Sequence, residues 1–78
     1  MKLFKISQSE RCGYDTHDSA IVAAEDEDDA ASIHPGYGKW DDKYGSWASS
    51  PAKVCVEYLG EATDGIERGV IIASFNAG

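Results

Sequence analysis

The sequence predicts a small α+β fold, a four-stranded antiparallel sheet in the order β-β-α-β-β with one short helix packed on a face and a long aromatic loop. Two kinds of pattern carry this reading. Strand-like runs rich in apolar residues occupy residues 2–8, 19–24, 54–59 and 69–75. Between the second and third lies a helix-start signal, a cluster of acids followed by Ala30, Ala31 and Ile33.

Lys2 to Gln8 reads as the first strand, with Phe4 and Ile6 on one face and Leu3 competing for the core from the other. Residues 9–18 are polar and contain Gly13 and Asp15, which predicts a connecting turn. Ser19 to Ala24 is the second strand, antiparallel to the first. Asp26 can cap the helix that comes next, and the acids after it fall in the first turn, where the helix dipole favours negative charge. Pro35-Gly36 is the expected stop, so the helix should run from about Asp26 to His34. Residues 36–50 form a loop carrying Tyr37, Trp40, Asp41, Asp42, Tyr44 and Trp47, long for so small a chain and therefore functional or folded over the core. Residues 50–53 suit a helical turn. The third strand places Val54, Val56 and Tyr58 on one face. In the last, Gly69 to Phe75, the near-continuous apolar run predicts a strand central in the sheet or covered on both faces.

At 78 residues the chain is expected to form a single small domain, 1–78, near the size at which one core only just outweighs chain entropy. A hydrophobic content of 42% argues for a folded globule over a disordered acidic tail. No stretch approaches the apolar length of a membrane span, and the alternating start at Met1 lacks the apolar core of a secretion signal. A cytoplasmic product is expected. In that compartment Cys12 and Cys55 should stay free thiols, with Cys55 buried in its strand, although a bridge between them is the other possibility.

Five consecutive carboxylates, Glu25-Asp26-Glu27-Asp28-Asp29, dominate a chain of net charge −7. Such a field opposes binding to phosphate, which needs Lys and Arg to displace counterions, and favours a basic protein surface. A helix rises ~1.5 Å per residue and duplex DNA carries a charge every ~1.7 Å, so the run can imitate a phosphate backbone. Because successive residues rotate by about 100°, Glu25, Asp28 and Asp29 should share a side while Asp26 and Glu27 point elsewhere. The alternative is a capped, solvated helix start. No Lys or Arg nearby in sequence offsets the acids, and like charges four apart on a helix cost a few tenths of a kcal/mol.

The remaining chemistry is thin. The acidic run lacks the spacing, glycine and closing glutamate of a calcium loop, and the cysteines lack CxxC spacing, so no metal or cofactor is expected. His17, Asp18 and Ser19 are too close on an extended segment to form a catalytic triad, and no Gly-x-Ser-x-Gly elbow exists. His34 is expected at the helix end, where positive charge is favoured. The chain reads as a non-enzyme. Trp47 is expected in the core, whereas Tyr37, Trp40 and Tyr44 suit either core or a contact surface. Base stacking is disfavoured because Asp41 and Asp42 offset Lys39 and Lys43.

Tyr14-Asp15-Thr16-His17-Asp18-Ser19, Ile33-His34-Pro35 and the ending Gly69-Val70-Ile71-Ile72-Ala73-Ser74-Phe75-Asn76-Ala77-Gly78 together resemble a family of small phage and prophage proteins, over nearly the full length. The chain is similar to anti-CRISPR inhibitors of type I, Cascade-type effectors. That resemblance implies a host bacterial cytoplasm, and occupation of the basic groove of the backbone subunits so that target DNA is blocked. It transfers no site residues. From the charge pattern, the expected partner-binding residues are Glu25, Asp26, Glu27, Asp28 and Asp29, extended by Asp41 and Asp42 and anchored by Trp40 or Tyr44. A monomer is expected. The competing reading is a phage protein that modulates a different host factor through its aromatic loop. A small hydrolase or metal enzyme using His17 and His34 is the reading from the enzyme class.

Overall fold

A computed structural model describes residues 1–9, 16–36 and 47–76, with residues 75 and 76 described by their backbone. Four strands, β1 (Lys2–Ser7), β2 (Thr16–Ala24), β3 (Cys55–Glu61) and β4 (Gly69–Asn76), form one sheet in the order β3-β1-β2-β4, every pair antiparallel. A helix, α1 (Glu27–Ala31), and a 3-10 turn, Pro51–Lys53, lie between β2 and β3. The expected α+β architecture and the helical turn before the third strand are both present. The expected positions Cys12, Tyr37, Trp40, Asp41, Asp42 and Tyr44 lie outside the described residues.

Period-two alternation builds the core. Phe4 and Ile6 of β1 and Ala20 and Val22 of β2 point to one face, where Val54, Val56, Val70 and Ala73 pack against them. Ala30 of α1, Ile33, Trp47 and Ala48 close that face from above, all fully buried. Trp47 therefore belongs to the core as expected. Each such large side chain contributes about 1.5–3 kcal/mol by leaving water.

Several expectations need correction. The second strand starts at Thr16, because a bulge at Asp18 lets the polar Thr16 and His17 extend the pairing with β4. The helix ends at Ala31 and not near His34. The Ser32 hydroxyl and amide both bond to the Asp29 carbonyl at 2.7 and 3.1 Å, and Ile33 then turns down into the core. Cys55 is exposed, since it pairs with Ser7 on the face opposite Val54 and Val56. Among the described residues the apolar β4 is an edge strand, paired with β2, and its Ile71 and Ile72 are exposed. An apolar run records side chains that avoid water, but not which face receives a cover.

The ends of β1's partners bring distant residues together. The β2 exit, the β3 exit and the β4 entry all lie at the Lys2 end of β1. Residues 62–68 must cross from one sheet edge to the other there, turning at Gly65, whose φ of 92° favours glycine. That crossing delivers Arg68 to the start of α1.

Candidate functional site

Asp26 begins the site. Its extended backbone, φ −154°, ends β2's run, and its Oδ1 accepts the Asp29 amide at 2.8 Å, which satisfies one of the otherwise orphaned N–H groups of α1. Asp29 reaches back in turn, its Oδ2 accepting the Glu25 amide at 3.0 Å. The two acids thus fix the corner reciprocally, in the manner of a capping box shifted by one residue.

Asp29 is also paired. Arg68 Nε donates to its two carboxylate oxygens at 2.8 and 2.9 Å, Nη2 stands 2.8 Å from Oδ1, and Nη2 donates to Ser32 Oγ at 3.2 Å. The bond from Arg68 holds the Asp29 carboxyl below the usual aspartate range and raises the guanidinium pKa in return. Arg68 lies 39 residues away in sequence, so the expectation of an uncompensated run is corrected at Asp29.

This pairing also changes which acids act together. Asp26, Glu27 and Asp28 line one open groove of about 570 Å³ with Lys2, Phe4 and Tyr58. The expected grouping of Glu25, Asp28 and Asp29 assumed a regular helix from Glu25 onward, but Glu25 and Asp26 precede α1 and Asp29 is drawn to Arg68. Glu25, Asp26, Glu27 and Asp28 are all exposed.

The groove has an aromatic floor. Phe4 and Tyr58 meet edge to face with ring centroids 5.7 Å apart, and the Tyr58 hydroxyl stands 3.4 Å from Glu61 Oε2. Glu61 pairs across the strands with Lys2. Among the described residues the lining holds three carboxylates and one ammonium, with Glu61 beside the Tyr58 hydroxyl, so this lining is negative and includes a tyrosine ring. A guanidinium or ammonium is the group such a lining favours, through charge and through the ring face. Lys2, Phe4, Tyr58 and Glu61 are site residues that the sequence does not announce. Their only signal is the shared strand phase of Phe4 and of Tyr58, and the strand pairing itself is what puts them beside the acids.

The histidines meet at the other end of the sheet. His17 and His34 rings lie edge to face with centroids 6.4 Å apart, and His34 is fully buried, its Nδ1 accepting the Gly36 amide at 3.0 Å. His34 is thus a packed interior residue beyond the helix, correcting its expected place at the helix end. Burial lowers the His17 pKa. Among the described residues, no group of three or more His, Cys, Asp or Glu side chains is placed to hold a metal ion. Among the same residues, no helix is long and apolar enough to cross a membrane.

No family model, curated protein or solved structure matches this chain.

Proposed function

We propose that this chain is a non-enzymatic, phage-encoded inhibitor acting in the host bacterial cytoplasm. It binds a basic nucleic-acid-recognition surface of a type I, Cascade-type effector and blocks target DNA there. The observation that carries the charge-mimic part is the convergence of Asp26, Glu27 and Asp28 with the Tyr58 ring on one negative groove. The identity of the effector rests on the sequence resemblance alone.

In this reading the acids divide their work. Asp26 and Asp29 hold the corner, and Glu27 and Asp28 are left to meet a partner's Arg or Lys where phosphate would otherwise lie. Asp26 contributes its charge as well as its cap. The contacts replace screened charges, so binding weakens as salt rises.

The decisive variant is Glu27→Gln with Asp28→Asn, which removes two charges and spares both the cap and the Arg68 pair. Affinity for the purified effector, measured by calorimetry across a salt series, should fall by about tenfold or more, equivalent to about 1.4 kcal/mol, and its salt slope should flatten. Unchanged affinity and unchanged inhibition of DNA binding would sink the charge-mimic reading.

A further inference from the structure

Arg68 grips the element that carries the groove's acids without meeting those acids itself. The described lining comprises Lys2, Phe4, Asp26, Glu27, Asp28 and Tyr58, whereas Arg68 meets Asp29 and Ser32. We propose that Arg68 is a positioning residue for partner recognition, a clamp on Asp29 and Ser32 that holds Glu27 and Asp28 in one fixed presentation. The proposal rests on the charge-mimic reading of the groove and names the residue that prepares it.

The clamp offsets a weakness of the helix. With five residues, α1 is far shorter than the ~12–15 at which an isolated helix is even marginal in water. Its first turn carries Glu27, Asp28 and Asp29 directly after Glu25 and Asp26, and crowded like charges destabilise it. Ala30 and, just beyond the helix, Ile33 anchor the inner side in the core. At the other side the bonds converge on Asp29. Its Oδ2 accepts the Glu25 amide, its carbonyl accepts the Ser32 amide and hydroxyl, and its own amide donates to Asp26. Arg68 holds this hub twice, with Nε on the Asp29 carboxylate at 2.8 and 2.9 Å and Nη2 on Ser32 Oγ at 3.2 Å. One guanidinium thus ties the first turn of α1 to its C-cap, a span suited to a planar fork of donors and unsuited to the point charge of a lysine.

The sheet delivers the clamp. Gly69 opens β4 opposite Ala23, so the β2–β4 register itself sets residue 68 beside the corner that follows Ala24. A sign follows that charge alone does not give. Removing a cation from a chain of net charge −7 makes it more acidic, and charge alone then predicts tighter binding to a basic surface. The clamp predicts weaker binding, because a loosened corner must be ordered again when the partner docks.

Arg68→Gln decides between them through two measurements on the full chain. Amide hydrogen exchange, followed by NMR without any partner, should quicken by about two- to fivefold at Glu25 and Asp29, the range that an exposed ion pair supplies, while Phe4 and Val22 keep their protection. The added negative field alone would repel hydroxide and slow the same amides. Affinity for the purified Cascade-type effector, by calorimetry, should fall by a similar factor although the chain is more acidic. Arg68→Lys, which restores the charge without the fork, should recover part of both losses. In an Asp29→Asn chain, where residue 29 still offers an oxygen to the Glu25 amide but no charge, Arg68→Gln should cause no further loss. Unchanged or slower exchange at Glu25, unchanged or tighter binding, or an equal loss in the Asp29→Asn chain overturns the proposal. A wild-type chain that fails to bind the effector overturns the effector reading instead, and the exchange measurement then decides whether Arg68 holds the corner.

Discussion

On one face of the sheet, Phe4, Ile6, Ala20 and Val22 lie sealed beneath α1, Ile33 and Trp47; on the other, Leu59, Ile71 and Ile72 stand open to solvent. Both sets are apolar, and both come from the same strands or their neighbours. The difference lies in the path of the connecting segments. Among the described residues, Ala30 of α1, Ile33, Trp47 and Ala48 pack over one face, and residues 62–68 cross at the sheet's end. The covered face supplies the stability that holds the acidic corner in place.

The sharpest way to break this comparison is to truncate one large side chain on each side. Trp47→Ala should cost about 3–5 kcal/mol, as expected for deleting a fully buried aromatic. That is a large part of the ~5–15 kcal/mol that holds a typical domain. Ile72→Ala, measured by urea unfolding, should change stability by no more than about 0.5 kcal/mol. Comparable losses at the two positions would mean that the faces are equivalent after all.

A smaller contrast runs through the acidic corner. Asp26→Ala removes the cap of α1 and should cost about 1 kcal/mol in urea unfolding, whereas Glu27→Ala, exposed and unbonded in the corner's network, should leave stability nearly unchanged. For the proposed partner binding the pattern should reverse in part, loss of the Glu27 charge weakening affinity without weakening the fold. Equal stability effects would show that the corner does not divide its acids between structure and recognition.

The smallest effect concerns Asp29 and Arg68. The pair is partly open to solvent, with side chains 24% and 43% exposed, so at neutral pH Asp29→Asn should cost less than about 1 kcal/mol. The folded Asp29 pKa lies below its ordinary value of 3.8, so the pair's stabilisation is present above that value and fades as pH falls through the lower folded pKa. Thermal unfolding tracked from neutral pH down to about pH 2 should therefore show the gap between wild type and Asp29→Asn closing in acid. Arg68→Gln should remove the same acid-sensitive increment, and a gap that persists undiminished in acid would assign the Asp29 effect to something other than its charge.

Much of this is legible in the sequence. Alternation at Phe4 and Ile6, at Val54, Val56 and Tyr58, and the acids preceding Ala30 and Ala31 are local signals, because a strand repeats every two residues and a helix start needs a cap. Trp47 is readable as core because a chain this small needs a large apolar side chain over its sheet. The sequence overstates the helix, since nothing local announces that the Ser32 hydroxyl will bond back to Asp29 and that Ile33 will leave the helix for the core.

Neighbours along the chain were enough to set the strand segments, the capped corner and the sign of its charge. Tertiary structure was needed to bring Arg68 onto Asp29 and to lay Tyr58 and Phe4 as the floor of a groove beside Glu27. It was needed as well to place the apolar β4 at an edge of the described sheet with Ile71 and Ile72 exposed. Those outcomes depend on strand order and register, which bring together residues tens of positions apart and set which side of each strand the rest of the chain covers.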